Sequence, residues 1–302
     1  MPVPSIGSSL ALSCGLQAVA WALSTIGRDV PTEHYYDASG ALTHLALVIH
    51  AVGGAAAARA RAGSGVMPDA RVALLGALSS IWAIRLGTYL ADRVARLGKD
   101  DRFDALKSSP TRWAIPWAAQ SAWCFLIQSP LTLCAAAAAA AVTASSTPPR
   151  LGRLDAIGVG IFVGGLALEV AADMHKDAAK RARPTAPVCT GPFRYSVYPA
   201  YFGECALWCG AVVLASTALA ARPWTLAFAC LSPAFTATLL WRVSGIPLLE
   251  STAWRKYGTD EAWLKYRAQT SLFVPWPPAA SVSAEDMARV RTRGAAAQRK
   301  LQ

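Results

Sequence analysis

Four side chains of mixed charge occupy one strongly apolar stretch and its basic exit: Glu169, Asp173, Lys176 and Lys180. The spacing i, i+4, i+7, i+11 puts all four on one face of a helix. A charge at the centre of a bilayer costs about 3 kcal/mol on insertion scales, so it is kept there for a partner or a purpose. The face runs into a connector carrying Arg181, Arg183 and Arg194, and a third acid, Glu204, opens the next apolar stretch. Acids within the membrane and cations at its edge can together hold a polar ligand. A plainer reading stands beside this one. Glu169, Asp173 and Lys176 could form an ion-pair ladder locking one helix to a neighbour, and Glu204 could bond a backbone group or an arginine.

The elements that position these groups are membrane spans. With 54% hydrophobic and 16% charged residues among 302, the chain departs from soluble composition. Apolar runs long enough to cross a bilayer fall at 7–27, 40–58, 72–92, 114–142, 153–173, 199–221 and 223–243. The reading is an all-α, polytopic transmembrane bundle of about seven spans. The fourth run is over-long and contains Pro130, so a kink or a split is expected there. Its alanine run, Ala135 to Ala141, favours helix but is only weakly apolar.

Charge sets an expected topology. With seven spans, 22 of the 29 Lys and Arg lie on the side of the first, third and fifth loops and the C-terminus. Six lie on the opposite side, and Arg85 is inside the third span. The positive-inside rule then predicts a lumenal or exterior N-terminus and a cytosolic C-terminus. The same rule accounts for the net charge of +11 without nucleic acid. The seven cysteines form no CxxC pair, and six of them fall in apolar segments, which argues against a disulfide framework. The four histidines are scattered, so no metal site is expected. Residues 1–10 carry no Lys or Arg, so 7–27 reads as a retained span rather than a signal peptide.

Without internal repeats or a long linker, residues 1–278 read as one integral-membrane domain and 279–302 as a basic polar tail, frayed or weakly helical. In the loop 91–113, Asp100, Asp101 and Asp104 are expected to pair locally with its cations. The connector 174–198 is broken by Pro184, Pro187, Gly191 and Pro192, which predicts an irregular crossing after a short helical continuation. Beyond Gly245 and Pro247 the pattern predicts a short amphipathic helix and then an extended, proline-ended segment. Trp254, Trp263 and Trp276 suit headgroup level there.

Seven stretches, in order, resemble the DUF1295 branch of the steroid 5-alpha-reductase family. They are Thr32–Leu45, IRLGTYLADRVARLGKDDRFD (Ile84–Asp104), EVAADMHK (Glu169–Lys176), CTGPFRYS (Cys189–Ser196), YFGECALWCG (Tyr201–Gly210), VSGIPLLE (Val243–Glu250) and Tyr257–Pro278. The resemblance implies a polytopic protein of the endoplasmic reticulum that reduces a carbon–carbon double bond conjugated to a ketone, using NADPH. Cofactor candidates by this likeness are Glu169, Asp173, Lys176, Lys180, Arg183, Arg194, Tyr195, Tyr201, Glu204 and Tyr266. Arg and Lys would meet the phosphates, and carboxylates the ribose hydroxyls or carboxamide. Tyr89 and Arg93 are the substrate-side candidates, and Tyr89 and Glu204 the catalytic ones. Partners would be the bilayer and an apolar small molecule entering from lipid. No oligomeric state follows.

One departure bears on activity. The family's SRHPNYFGE stands here as Ser196 to Glu204 with Val197, Tyr198 and Ala200 in place of Arg, His and Asn. The frame keeps the turn, but each lost donor at a polar ligand commonly costs about 1–3 kcal/mol. A catalytically silent lipid-binding protein of the same fold is therefore one alternative. An S-adenosylmethionine enzyme like the isoprenylcysteine methyltransferases, which share a related C-terminal pattern, is the other. Taken singly, Tyr195, Tyr198 and Tyr201 suit an interfacial belt, and Tyr266 suits helix packing.

Overall fold

The computed structural model describes residues 2–27, 30–97, 103–144 and 150–299, and among these every regular element is helical. The helices are α1 (Ile6–Thr25), α2 (Tyr36–Arg61), α3 (Ala70–Leu97), α4 (Pro110–Ile127), α5 (Ser129–Thr143), α6 (Arg153–Ala182), α7 (Pro199–Leu219), α8 (Pro223–Ala229), α9 (Leu231–Thr238), α10 (Ile246–Tyr257), α11 (Glu261–Gln269) and α12 (Ala284–Arg299). Six stretches are long and apolar enough to cross a membrane, and α4 with α5 makes a seventh if that pair is one crossing. The chain is an integral membrane protein.

Proline explains the breaks. The ring of Pro130 excludes the carbonyl four residues earlier, so α4 stops at Ile127 and α5 restarts at a 50° angle. The seventh span, expected over 223–243, is present within one crossing-length stretch, Pro223–Tyr257, with a one-residue break at Cys230. Pro233 stands four residues after Ala229, where α8 ends. A π-helical turn, Leu239–Val243, then leads to the start of α10, which has Pro247 in its first turn. Span five runs past its apolar limit to Ala182, so Lys176 and Lys180 share a helix with the two acids.

By internal contacts the chain divides into two units, Met1–Gly160 with Cys209–Phe235, and Ile161–Trp208 with Thr236–Gln302. In the first, α2 packs against α1, α3, α4 and α5. Small residues permit this closeness. A Cβ on Gly40 would lie 2.7 Å from the Gln120 amide, and one on Gly76 would lie 2.6 Å from Val52. The buried His44 ring stands edge-on between Trp82 and Trp123, with centroids 5.0 and 4.6 Å away. Arg71 and Asp155 form a buried two-armed pair, with Nε–Oδ1 at 2.6 Å and Nη2–Oδ2 at 2.9 Å. Lys107 pairs with Glu33 and lies 3.9 Å from Asp104, while Asp100 and Asp101 lie outside the described residues.

In the second unit α6 and α7 touch through glycine. A Cβ on Gly165 would lie 2.6 Å from the Gly203 carbonyl, and one on Gly203 would lie 2.5 Å from the Gly165 carbonyl. The polar tail forms α12. Val290 joins a buried cluster with Trp254, Trp263 and Leu264, Gly294 lies against the Trp254 ring, and Arg291 pairs with Glu261 at 2.8 Å.

Candidate functional site

The α6–α7 contact positions the acids. Glu169 is buried, and its backbone nitrogen and Cβ lie 3.0 and 3.3 Å from where a Gly203 Cβ would stand. Asp173, one turn further along α6, is half-buried, as are Lys176 and Glu204. The charged face expected on one helix therefore exists, with Glu204 on the adjoining helix.

The connector is a fixed structure. Lys180 donates to the carbonyls of Pro184 (3.3 Å) and Ala186 (2.8 Å) and to the Tyr257 hydroxyl (3.0 Å), closing the loop onto α6 and α10. His175 bonds Thr190 at 2.9 Å, and Gly191 passes with φ +60° under the imidazole, where a Cβ would lie 2.7 Å from the ring. Only glycine combines that backbone with that clearance. Between α6 and this loop is a cavity of about 210 Å³, with Ala179, Arg183, Cys189 and Thr190 among its lining. Arg181, Arg183 and Arg194 are exposed.

After a 3₁₀ turn at Gly191–Arg194, residues 195–198 pair with the extended segment 271–276. Val197 N–H donates to the Ser271 carbonyl and Trp276 N–H to that of Tyr195, both at 2.9 Å. Buried Ser196 holds the turn, since its hydroxyl donates to the Phe273 carbonyl at 2.8 Å and accepts from Tyr198 N–H at 3.1 Å. The frame of the motif is thus built from backbone and Ser196, which is why it survives the changes at Val197 and Ala200.

Tyr198 donates its hydroxyl to Glu250. Glu250 also accepts both arms of Arg267, at 2.8 and 2.9 Å, and the Trp254 indole N–H at 3.0 Å. The guanidinium lies over Trp254 and Trp263, 5.8 and 5.4 Å from the ring centroids. Burial, and then the Glu250 charge, push the Tyr198 phenol well above its ordinary range, so it stays protonated. Burial works against the Arg267 charge, but the pairing with Glu250 outweighs it and raises the group's pKa. Burial and Asp260 push the Cys189 thiol up to about 11.

Of the sequence candidates, Glu169, Asp173, Lys176, Lys180, Arg183, Arg194, Tyr195, Tyr201, Glu204 and Tyr266 all belong to the second unit. Tyr195 is exposed, and Tyr201 stacks on Tyr198 at 5.8 Å. Lys180 spends its donors on the protein, and the Tyr266 hydroxyl donates to the Phe193 carbonyl at 2.8 Å. Tyr89 belongs to the first unit, on α3, with Arg85 5.5 Å above its ring. The side chain of Arg93 lies outside the described residues. The Tyr198–Glu250–Arg267 group was missed in the sequence, although an acid in the mostly apolar stretch after span seven is itself a signal of a partner.

This fold and site define a polytopic, all-helical membrane protein with a polar cluster at one connector. The chain belongs to the DUF1295 family, whose model, described as a protein of unknown function, matches residues 39–270. No curated protein and no solved structure matches it.

Proposed function

We propose that the chain is a membrane-embedded, NADPH-dependent reductase of an apolar, enone-type lipid, as its resemblance to the steroid 5-alpha-reductases implies. The observation that carries the reading is the second unit's pairing of membrane acids with a rigid basic connector. Asp173 and Glu204 stand on touching helices, and Arg181, Arg183 and Arg194 are exposed around a loop clasped by Lys180.

The residues fit the phosphate end of NADPH. Arg183 lines the connector cavity, and its planar fork suits a phosphate. Arg181 and Arg194 supply further charge, while Lys180 acts indirectly by holding the loop. At the other end the family's Asn is Ala200, and the carboxylates of Asp173 and Glu204 are the candidates to hold ribose hydroxyls or a carboxamide. When bound, the cofactor would supply the hydride. The same resemblance supports the reading that the protein resides in the endoplasmic reticulum.

The silent, lipid-binding reading draws support from one observation. Tyr198, standing where the family has His, is consumed by Glu250, which Arg267 already neutralises. The methyltransferase-like reading would use the same connector for S-adenosylmethionine.

Thermal unfolding of the detergent-solubilised protein with NADPH or S-adenosylmethionine discriminates the three. The reductase reading expects an upward shift with NADPH alone, lost in Asp173→Ala and Glu204→Ala. A full shift in both variants would move the site elsewhere, and no shift with either nucleotide would leave the silent reading. Val197→Arg, Tyr198→His and Ala200→Asn made together should strengthen NADPH binding.

A further inference from the structure

The alanine run of α5 plays no part in the connector site. In the first unit it divides by exposure. Ala135, Ala138 and Ala139 are buried, and α5 packs on α2. Ala136, Ala137, Ala140, Ala141 and Ala144 recur on the remaining face and line a groove of about 580 Å³. The groove continues over Ile6 and Gly7 of α1 and Leu219 of α7 to Arg222 and Trp224 at the turn into α8. Its volume falls within the roughly 300–1,000 Å³ of small-ligand sites.

Four observations point to one occupant. Methyl-sized walls leave a trough among apolar helices that cross a bilayer, and an acyl chain filling it would restore contacts the small side chains do not make. Arg222 is exposed and lines the groove, and its guanidinium makes no hydrogen bond or ion pair to any described residue, so it is available to a phosphate. Its backbone is fixed, because its carbonyl accepts from the hydroxyl of buried Thr225 at 2.7 Å. Trp224, 66% exposed beside it, suits the headgroup layer. Arg222 is also one of only six basic residues that the seven-span reading assigns to its side, so charge bias does not account for it.

We propose that this groove is a binding site for an anionic phospholipid, with one acyl chain along the α5 alanine face and the phosphate on Arg222. The site is independent of the reductase reading.

The test places the protein in phosphatidylcholine nanodiscs containing a small fraction of phosphatidylglycerol, then counts retained lipid by native mass spectrometry after transfer to detergent. The wild type should retain phosphatidylglycerol preferentially. Arg222→Gln should retain about tenfold less, through loss of a charge-assisted contact. Ala140→Leu, which fills the trough from an exposed position, should also lose the lipid with its unfolding midpoint unchanged. If that variant does not fold, Ala144→Leu takes its place. Equal retention of phosphatidylcholine, or retention unchanged by Arg222→Gln, overturns the headgroup assignment. Retention unchanged by the leucine variant overturns the groove.

Discussion

Glu250 and Arg267, seventeen residues apart, meet as a two-armed ion pair at 2.8 and 2.9 Å, with the guanidinium held over two tryptophans. Removing the carboxylate would leave a cation whose side chain is only 10% exposed without its partner. Glu250→Ala should therefore cost about 3 kcal/mol, seen as a lower unfolding midpoint in detergent. Tyr198→Phe removes one hydrogen bond to the same acid and should cost about 1 kcal/mol. Equal losses in the two variants would mean that the ion pair is not the organising contact.

Cys189 offers a pH test. Its folded pKa, about 11, exceeds the ordinary 9.0, so the folded chain holds that proton more tightly than the unfolded chain. The stabilisation is complete below pH 9 and disappears as pH rises through 11. Cys189→Ala should flatten the stability profile in that window. The buried phenols of Tyr198 and Tyr266 are raised in the same sense and should leave a further decline above pH 10.

The α6–α7 contact carries its own control. A methyl on Gly203 meets backbone at 2.5 Å, whereas one on Gly164 meets nothing within 4 Å. Gly203→Ala should cost about 1–3 kcal/mol and weaken any nucleotide shift by displacing Glu169 and Glu204. Gly164→Ala should change neither, and a matching loss there would remove the packing argument.

The C-terminal helix should report its docking optically. A side chain on Gly294 would stand 2.4 Å from the Trp254 ring. Gly294→Leu, or truncation after Ser283, should red-shift tryptophan emission as Trp254 and Trp263 meet water. Unchanged emission in both would show that the helix does not cover them.

The crossings were legible because hydrocarbon demands long apolar runs, and Pro130 announced the break between α4 and α5. Pro233 marks the short break at Cys230 in the seventh span, which the continuous apolar run around it conceals. The charged face of α6 was readable from spacing alone. The role of Glu250 was not, because its partners, Tyr198 and Arg267, come from either side in sequence and only tertiary structure brings them within bonding distance. The departures at Val197 and Ala200 were visible, but the reason the turn tolerates them was not. That reason is the pairing of the 195–198 backbone with 271–276, anchored by Ser196.

The bend at Gln128 bears on biogenesis. At 18 and 15 residues, α4 and α5 are about 27 and 22 Å long, each shorter than the roughly 30 Å hydrocarbon thickness. Standing straight along the membrane normal, neither half would reach from one side of the hydrocarbon to the other. Taken as one crossing, the pair would have to leave the translocon as a unit, received by α1 and α2, which are synthesised earlier and pack against α4 and α5 respectively. Membrane integration of this chain would then be ordered in time, with its first two helices acting as a template for the fourth crossing.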